Sequence, residues 1–356
     1  MSCRSKKLSN AVAAALLLFV LPRITSPQAG IIELRFEQSP TAESDTSRTL
    51  QSLIKVQGSG SLCQDALYLI THYGDREALF ERTNQQAKDD PLRNHTWRYC
   101  SVFASATDRG VFMGRNWDNQ NVGSIIVSLY HPPNGYASIS FSRAIDMGFP
   151  LNLDLEQIKS GGLGDGLLLA PFHAMDGIND QGLAVAIAGL KEVTHTLPRG
   201  RDRVYVTFLI RRMLDQARTV DEAVNLAAQF TPFDLDSNSL NGHIMIADAA
   251  GRSVILEYTQ DEWRVIPGDT SWQVMTTSPV YNVPDLELRD KCWRYRGISE
   301  ALEQQQGVTD WEAAIEILQG AQQQGTTWSV AYSLPTTELY FCVYQNWDTV
   351  YRLRLR

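Results

Sequence analysis

Short runs of alternating apolar and polar residues recur along the chain, and this period of two is typical of β-strands with one buried face. Two such runs, residues 101–106 and 111–114, flank the polar turn Asp108-Arg109-Gly110. Aspartate and glycine are favoured in tight turns, so we predict that these runs are the two strands of one hairpin. The hairpin would bring the residues after its second strand back beside the start of its first strand.

The rest of the chain combines more strands with several helices. Apolar residues spaced three and four apart predict helices over residues 60–90, 204–216, 220–229, 295–304 and 311–321. Apolar runs bounded by turn residues predict further strands over residues 124–130, 136–141, 183–190, 244–247, 253–258, 263–266, 273–275, 328–333 and 339–344. From residue 100 onward, strands come first, then central helices, then more strands. This order predicts an α+β domain built of layers.

The composition is that of an ordinary globular protein. The chain has 356 residues, of which 44% are hydrophobic and 20% are charged. Its formal net charge is −8, and no basic block is interleaved with aromatic residues, which argues against a nucleic-acid partner. Beyond residue 30, no apolar run approaches the roughly 20 residues needed to span a bilayer.

Residues 1–29 have the layout of a secretory signal peptide. Arg4, Lys6 and Lys7 precede an apolar stretch over residues 11–20, and small residues that follow offer a cleavage site. We therefore expect export to the periplasm or the medium. The alternative is an uncleaved signal that anchors the chain in a membrane.

The cysteines are too far apart to form a recognisable framework. The chain has five of them, Cys3, Cys63, Cys100, Cys292 and Cys342. Their spacing does not indicate a disulfide scaffold, and no Cys-x-x-Cys pair points to zinc. We expect no metal and no organic cofactor. Cys342, inside the apolar run 339–344, is expected to be a buried strand residue.

The start of the predicted hairpin carries candidate chemistry. Cys100 precedes the first strand, and Arg115 and Asp118 follow the second. A nearby positive charge lowers the pKa of a thiol, so this grouping indicates an activated cysteine nucleophile. A papain-like site would need a partner histidine, and none of the six histidines has a local signature for that role. The alternative base is the α-amino group of Cys100 itself, which requires that the Tyr99–Cys100 bond be cut after the polar connector 89–94.

These motifs resemble those of the N-terminal-nucleophile amidohydrolases of the choloylglycine hydrolase and acid ceramidase type. Mature chains of that family begin with cysteine and soon carry Gly-Arg-Asn-aromatic-Asp, which here is Gly114-Arg115-Asn116-Trp117-Asp118. Further segments match the family in the expected order, over residues 176–185, 246–257, 328–332 and 339–341. Other segments resemble bacterial linear amide C–N hydrolases in particular, over residues 48–55, 71–75 and 292–295.

The resemblance implies a four-layer α-β-β-α sandwich preceded by a mostly helical pro-segment. It divides the chain into the signal 1–29, a pro-segment or light chain 30–99 and a catalytic domain 100–356. It implies hydrolysis of a linear, non-peptide amide, which could be an N-acyl amide, a conjugated bile acid or a penicillin V-like amide. The resemblance leaves open whether the protein makes peripheral contact with lipid substrates. Acyl transfer to an amine, and a binding protein of the same fold that has lost turnover, are the alternatives.

The resemblance also implies roles for individual residues. Cys100 would attack the amide carbonyl and form a thioester, and Arg115 would hold the thiolate charged. Asp118 would hydrogen-bond the freed α-amino group and tune it as a base. Arg294 is similar in position to a later family arginine near the nucleophile, and a surface ion pair is the alternative for it.

The chain departs from the family pattern at Thr277. Relatives usually have Thr-Asn before Pro or Phe, and that asparagine donates to the oxyanion, whereas this chain has Met275-Thr276-Thr277-Ser278-Pro279. Losing an oxyanion donor costs roughly 100- to 1000-fold in rate. Either Thr277 substitutes, or Asn282 reaches in, or activity is weak. Asp176 and Asn179 are expected to be turn formers.

Overall fold

The computed structural model describes residues 30–34, 54–57, 66–73, 100–119, 124–132, 134–149, 169–190, 202–233, 240 and 242–355. The predicted signal peptide, the connector 89–94 and Tyr99 lie outside the described residues.

Strands make up most of the described structure. In chain order they are β1 Gly30–Glu33, β2 Ile54–Gln57, β3 Ala66–Tyr73, β4 Ser101–Thr107, β5 Gly110–Asp118, β6 Ile125–His131, β7 Ser138–Arg143, β8 Asp176–Asn179, β9 Ala184–Gly189, β10 Asp202–Tyr205, β11 Phe230–Phe233, β12 Gly242–Ala247, β13 Ser253–Thr259, β14 Glu262–Pro267, β15 Trp272–Met275, β16 Thr326–Ser333, β17 Glu338–Val343 and β18 Thr349–Arg354. The α-helices of the described residues are α1 Val206–Gln216, α2 Val220–Ala227, α3 Asp285–Lys291, α4 Trp293–Gln305 and α5 Trp311–Gly320.

Most of these strands belong to two large sheets. The first sheet has the order β1-β18-β17-β16-β5-β4-β15, and the second has the order β14-β13-β12-β9-β8-β7-β6-β3-β2. Most neighbouring strands are antiparallel, but β1 runs parallel to β18 and β3 runs parallel to β6. The strands β10 and β11 form a separate parallel pair.

The two sheets pack face to face, with helices on both outer faces. The strand β4 contacts β9 and β12 of the second sheet, while α4 and α5 cover the first sheet and α1 and α2 cover the second. The apolar core between the sheets includes Val102, Met113, Ala186 and Met245. The α+β prediction is confirmed, and the layers follow the α-β-β-α order that the family resemblance implies. Among the described helices, none is long and apolar enough to cross a membrane.

The predicted hairpin is confirmed by β4 and β5. The two strands pair so that Ser101 lies opposite Asn116, which sets the far end of β5 beside Cys100. Alternate residues of β4 face different layers, since Val102 lies in the core between the sheets and Phe103 lies in the apolar cluster beneath the outer helices. This alternation decides which side chains meet the thiol and which meet the helices.

The other helices and strands predicted after residue 100 are confirmed with small shifts at their ends. The helix α3 and the strands β8, β10, β11 and β18 were not predicted, since each is short and carries a weak periodic pattern. Cys342 lies buried in β17, as predicted, and Cys100, Cys292 and Cys342 are free thiols.

The helix predicted over residues 60–90 is wrong where the structure describes that segment. Residues 66–73 form β3, which pairs with β6 on one side and with β2 on the other. Their sequence, ALYLITHY, is apolar at most positions, so helical spacings arise in it by default. Its β-branched and aromatic residues favour a strand, and the edge of β6 supplies backbone partners. The described residues of the predicted pro-segment 30–99 therefore lie mainly in strands, and residues 74–90 lie outside the described residues.

Candidate active site

Cys100 is fully buried directly before β4, where the first sheet faces the second. The alternation along β4 sets its side chain on the same face as Val102, in the core between the sheets. Arg115 points into the same space from β5, and its Nη2 lies 3.6 Å from Sγ of Cys100. The hairpin thus brings the thiol and the guanidinium together, as its pattern predicts.

The guanidinium of Arg115 is held by the second sheet. Its Nη1 donates to the carbonyl oxygen of Met175 at 3.0 Å and to the carboxylate of Asp176, and its Nη2 donates to the carbonyl oxygen of Ile187 at 3.0 Å. The guanidinium also lies over Trp117, 4.6 Å from the ring centre, in a cation–π contact. These contacts fix a buried positive charge beside the thiol.

The charge of Arg115 does not make Cys100 a thiolate in the uncut chain. Burial raises the pKa of the Cys100 thiol, and the guanidinium opposes this rise without overcoming it. The sequence expectation of a lowered thiol pKa is therefore not met, because desolvation of the charged form outweighs the attraction of the cation. The thiol needs a base to take its proton.

Arg294 approaches Cys100 from the helix side of the first sheet. It lies buried in the first turn of α4, and its Nη1 donates to the carbonyl oxygen of Cys100 at 2.6 Å and to Oγ of Ser101 at 3.0 Å. The same Nη1 lies 3.5 Å from Oδ2 of Asp118, and Nη2 donates to Oγ1 of Thr277 at 3.2 Å. Arg294 is therefore not a surface ion-pair residue, and it connects the other candidate residues.

Asp118 ends β5 and is held in place by one residue that precedes β16 and by the first residue of that strand. Its Oδ1 accepts a hydrogen bond from Oγ1 of Thr326 at 2.6 Å, and its Oδ2 accepts one from Nε2 of Gln323 at 2.9 Å. Burial raises the pKa of the Asp118 carboxyl, and these hydrogen bonds and the charge of Arg294 oppose that rise. A carboxylate so placed can accept hydrogen bonds from an amino group formed at Cys100.

Thr277 lies beside the nucleophile. Met275, the last residue of β15, pairs with Val102, and continuing that register by two residues sets Thr277 opposite Cys100. Thr277 is buried and its hydroxyl oxygen accepts from Arg294, which leaves the hydroxyl hydrogen available to an oxyanion. Asn282, the other candidate donor, is exposed on a turn at a φ of 58°.

Asp176 is not the turn former that the sequence predicted. It begins β8, is fully buried, and accepts hydrogen bonds from Arg115, from Nε1 of Trp328 at 3.1 Å and from the hydroxyl of Tyr332. Burial raises the pKa of its carboxyl, and the charge of Arg115 opposes the rise. Asn179 does form the turn, because its Oδ1 accepts from two backbone amides that follow it.

The five predicted site residues, Cys100, Arg115, Asp118, Thr277 and Arg294, therefore meet at one end of the first sheet. A nucleophile, a hydroxyl donor and a carboxylate that can hold an amine are the parts of an acyl-transfer site. Within the described ranges, no group of three or more histidine, cysteine, aspartate or glutamate side chains is placed to hold a metal ion.

Comparison with known proteins identifies a family and similar folds. The model of the linear amide C–N hydrolases, choloylglycine hydrolase family, matches residues 100–325, more than half of the chain. No curated protein matches the sequence significantly. The fold is similar to that of a variant of conjugated bile acid hydrolase from Clostridium perfringens, with a TM-score of 0.53 and 16% identity over 72% of this chain and 92% of that chain. Penicillin V acylase from Agrobacterium tumefaciens has a TM-score of 0.49 and 15% identity, over 72% of this chain and 86% of that one.

Proposed function

The chain belongs to the choloylglycine hydrolase family of linear amide C–N hydrolases, and we propose that it hydrolyses its substrate through a thioester on Cys100. The observation that carries the proposal is the convergence of two arginines on one buried cysteine. Arg115 contacts its sulfur, and Arg294 contacts its carbonyl oxygen and the Thr277 hydroxyl together. This arrangement places charge and donors on both sides of one reacting centre.

The raised pKa of the thiol makes a base necessary, and we propose that cleavage before Cys100 creates it. Sγ of Cys100 attacks the carbonyl carbon of Tyr99, the thiol proton passes to the amide nitrogen of Cys100, and the C–N bond breaks as the acyl group moves to sulfur. Water then hydrolyses this thioester. The products are a carboxylate at Tyr99 and a free thiol and α-amino group at Cys100.

Turnover uses the same groups. The α-amino group takes the thiol proton as Sγ attacks the substrate carbonyl, while Arg115 stabilises the sulfur and Thr277 donates to the oxyanion. The α-ammonium passes its proton to the departing nitrogen, and the C–N bond breaks. Water, deprotonated by the α-amino group, hydrolyses the acyl thioester and releases the carboxylic acid. Asp118 keeps the amino group oriented throughout.

We propose that the pro-segment 30–99 stays bound as a light chain after cleavage. Its strand β1 extends the first sheet beside β18, and its strand β3 extends the second sheet between β6 and β2. The segment therefore shares backbone pairing with both sheets of the catalytic domain. The signal 1–29 would direct the precursor out of the cell.

The test is a panel of N-acyl amides, conjugated bile acids and penicillin V-like amides. We expect one class to release its acid and amine, and an acyl mass to appear on the fragment that contains Cys100. Cys100→Ala should abolish both signals. Cys342→Ala, which removes a buried thiol within β17, is the matched control and should change neither.

The same assay separates the alternatives. Transfer of the acyl group to an added amine, in place of hydrolysis, would identify an acyltransferase. Absence of turnover on every substrate, with binding retained, would identify a binding protein. Turnover that persists in Cys100→Ala would refute the thioester mechanism.

A further inference from the structure

A buried hydrogen-bonded pair lies beside the loop that carries Thr277. His243 of β12 and Glu257 of β13 face each other across an antiparallel pair, and both are buried. Nδ1 of His243 lies 2.9 Å from Oε1 of Glu257, and Nε2 lies 2.5 Å from the carbonyl oxygen of Thr276. The pair belongs to the second sheet, whereas Thr276 follows β15 of the first sheet. It therefore bridges the sheets next to the site.

The two partners of His243 both offer acceptor oxygens. A carboxylate and a carbonyl oxygen accept hydrogen bonds, so the ring faces an acceptor at each nitrogen, and Nε2 donates to the carbonyl oxygen of Thr276. Burial raises the pKa of the Glu257 carboxyl, but its bonds from His243 and from two backbone amides outweigh burial, and the net pKa is lowered.

This pair fixes the loop after β15 at three backbone positions. His243 donates to the carbonyl oxygen of Thr276, and Glu257 accepts from the amides of residues 280–281 at 2.6 and 3.0 Å. Thr277 lies between these anchor points, directly after the first of them. A shift of its backbone would break the bond from His243.

We propose that His243, held by its hydrogen bond with Glu257, is a positioning residue that holds the Thr277 hydroxyl at the oxyanion. The proposal rests on the proposed function, in which Thr277 supplies that donor. His243 itself touches neither the thiol nor the substrate. It acts through one hydrogen bond, that from Nε2 to the carbonyl oxygen of Thr276.

A matched pair of substitutions separates this bond from the stability of the buried pair. The amide of glutamine reaches the place of Nε2, so His243→Gln keeps the donor to Thr276 and loses the one to Glu257. The amide of asparagine reaches the place of Nδ1, so His243→Asn keeps the contact with Glu257 and loses the one to Thr276. Both variants replace the same ring and lose one of its two hydrogen bonds, so we expect similar losses of Tm.

Activity should separate the two variants. A displacement of about 1 Å at a reacting centre can cost on the order of 100-fold, so we expect His243→Asn to lower kcat by about 10- to 100-fold with KM nearly unchanged. His243→Gln should keep a kcat at least about tenfold above that of His243→Asn. In a Thr277→Ala background, His243→Asn should cost nothing further. Equal kcat values for His243→Asn and His243→Gln would overturn the proposal. So would a fold-loss of kcat from His243→Asn that is the same in the Thr277→Ala background as in the wild type.

Hydrogen exchange tests the positioning without any turnover. Amides of residues 276–281 should exchange faster in His243→Asn than in His243→Gln, because only the first variant releases the Thr276 carbonyl. Equal exchange in the two variants would overturn the inference even if amide hydrolysis is found. Absence of hydrolysis with the expected exchange difference would refute the proposed function and leave the positioning role supported.

Discussion

Replacement of Asp176 by asparagine removes the negative charge that balances Arg115 and keeps the shape of the side chain. Both side chains are fully buried. The other hydrogen-bond partners of the guanidinium are two carbonyl oxygens and a neutral thiol, so the substitution removes the carboxylate that directly contacts the buried cation. Breaking a buried ion pair by removing one partner costs about 3–5 kcal/mol. Since the total stability of a domain is about 5–15 kcal/mol, this loss is large.

The pair Arg143–Asp146 provides the matched control. It is also buried, with Nε of Arg143 donating to Oδ2 of Asp146 at 2.9 Å. Urea denaturation should show a similar loss of unfolding free energy for Asp146→Asn and Asp176→Asn. Only Asp176→Asn should also lower kcat, by about 10- to 100-fold, because Arg115 then loses its fixed position beside the thiol. A change of unfolding free energy below about 1 kcal/mol for Asp176→Asn, or an unchanged kcat, would refute this reasoning.

Three further predictions concern other contacts of the site. Thr277→Ala should lower kcat by roughly 100- to 1000-fold, whereas Thr277→Ser, which keeps the hydroxyl, should have a kcat within about tenfold of the wild type. Equal losses of kcat for the two variants in steady-state assays would contradict this. The pKa of Glu257 is lowered in the folded protein, so its ionised form stabilises the fold above the unfolded pKa, and this stability is lost as the pH falls through the folded pKa. The Tm difference between wild type and Glu257→Gln should therefore shrink on acidification below about pH 4.3. A Tm difference that grows on acidification would contradict the lowered pKa of Glu257. After cleavage, the pro-segment should co-elute with the catalytic chain in size exclusion and separate from it only in denaturant, and separation in native buffer would exclude a retained light chain.

The elements around the site were predictable because their patterns are local. The turn at Asp108-Arg109-Gly110 and the alternation on either side specify a hairpin, and the hairpin alone brings Arg115 near Cys100. The segment 66–73 was mispredicted because it is apolar at most positions, and the edge of β6 decided its conformation. No sequence pattern within residues 66–73 indicates that the edge of β6 is there to pair with.

The missed residues depend on contacts between the sheets. Asp176 precedes a glycine and resembles a turn residue, and only the packing of β8 against β5 reveals it as the partner of Arg115. His243 and Glu257 carried a usable signal, because pairing the predicted strands 244–247 and 253–258 across the short turn between them, and extending that pairing by one residue, sets them opposite each other. The raised pKa of the Cys100 thiol depends on burial, which the charges near it in the sequence do not reveal.

The central claim is that Cys100 becomes an N-terminal nucleophile, and intact-mass measurement of the expressed protein tests it most directly. The wild-type protein should contain a fragment whose mass and N-terminal sequence begin at Cys100. The Cys100→Ala chain should remain uncut at that bond, because it has no sulfur to attack Tyr99. An uncut wild-type chain that hydrolyses amides, or a Cys100→Ala chain cut at the same bond, would contradict the account.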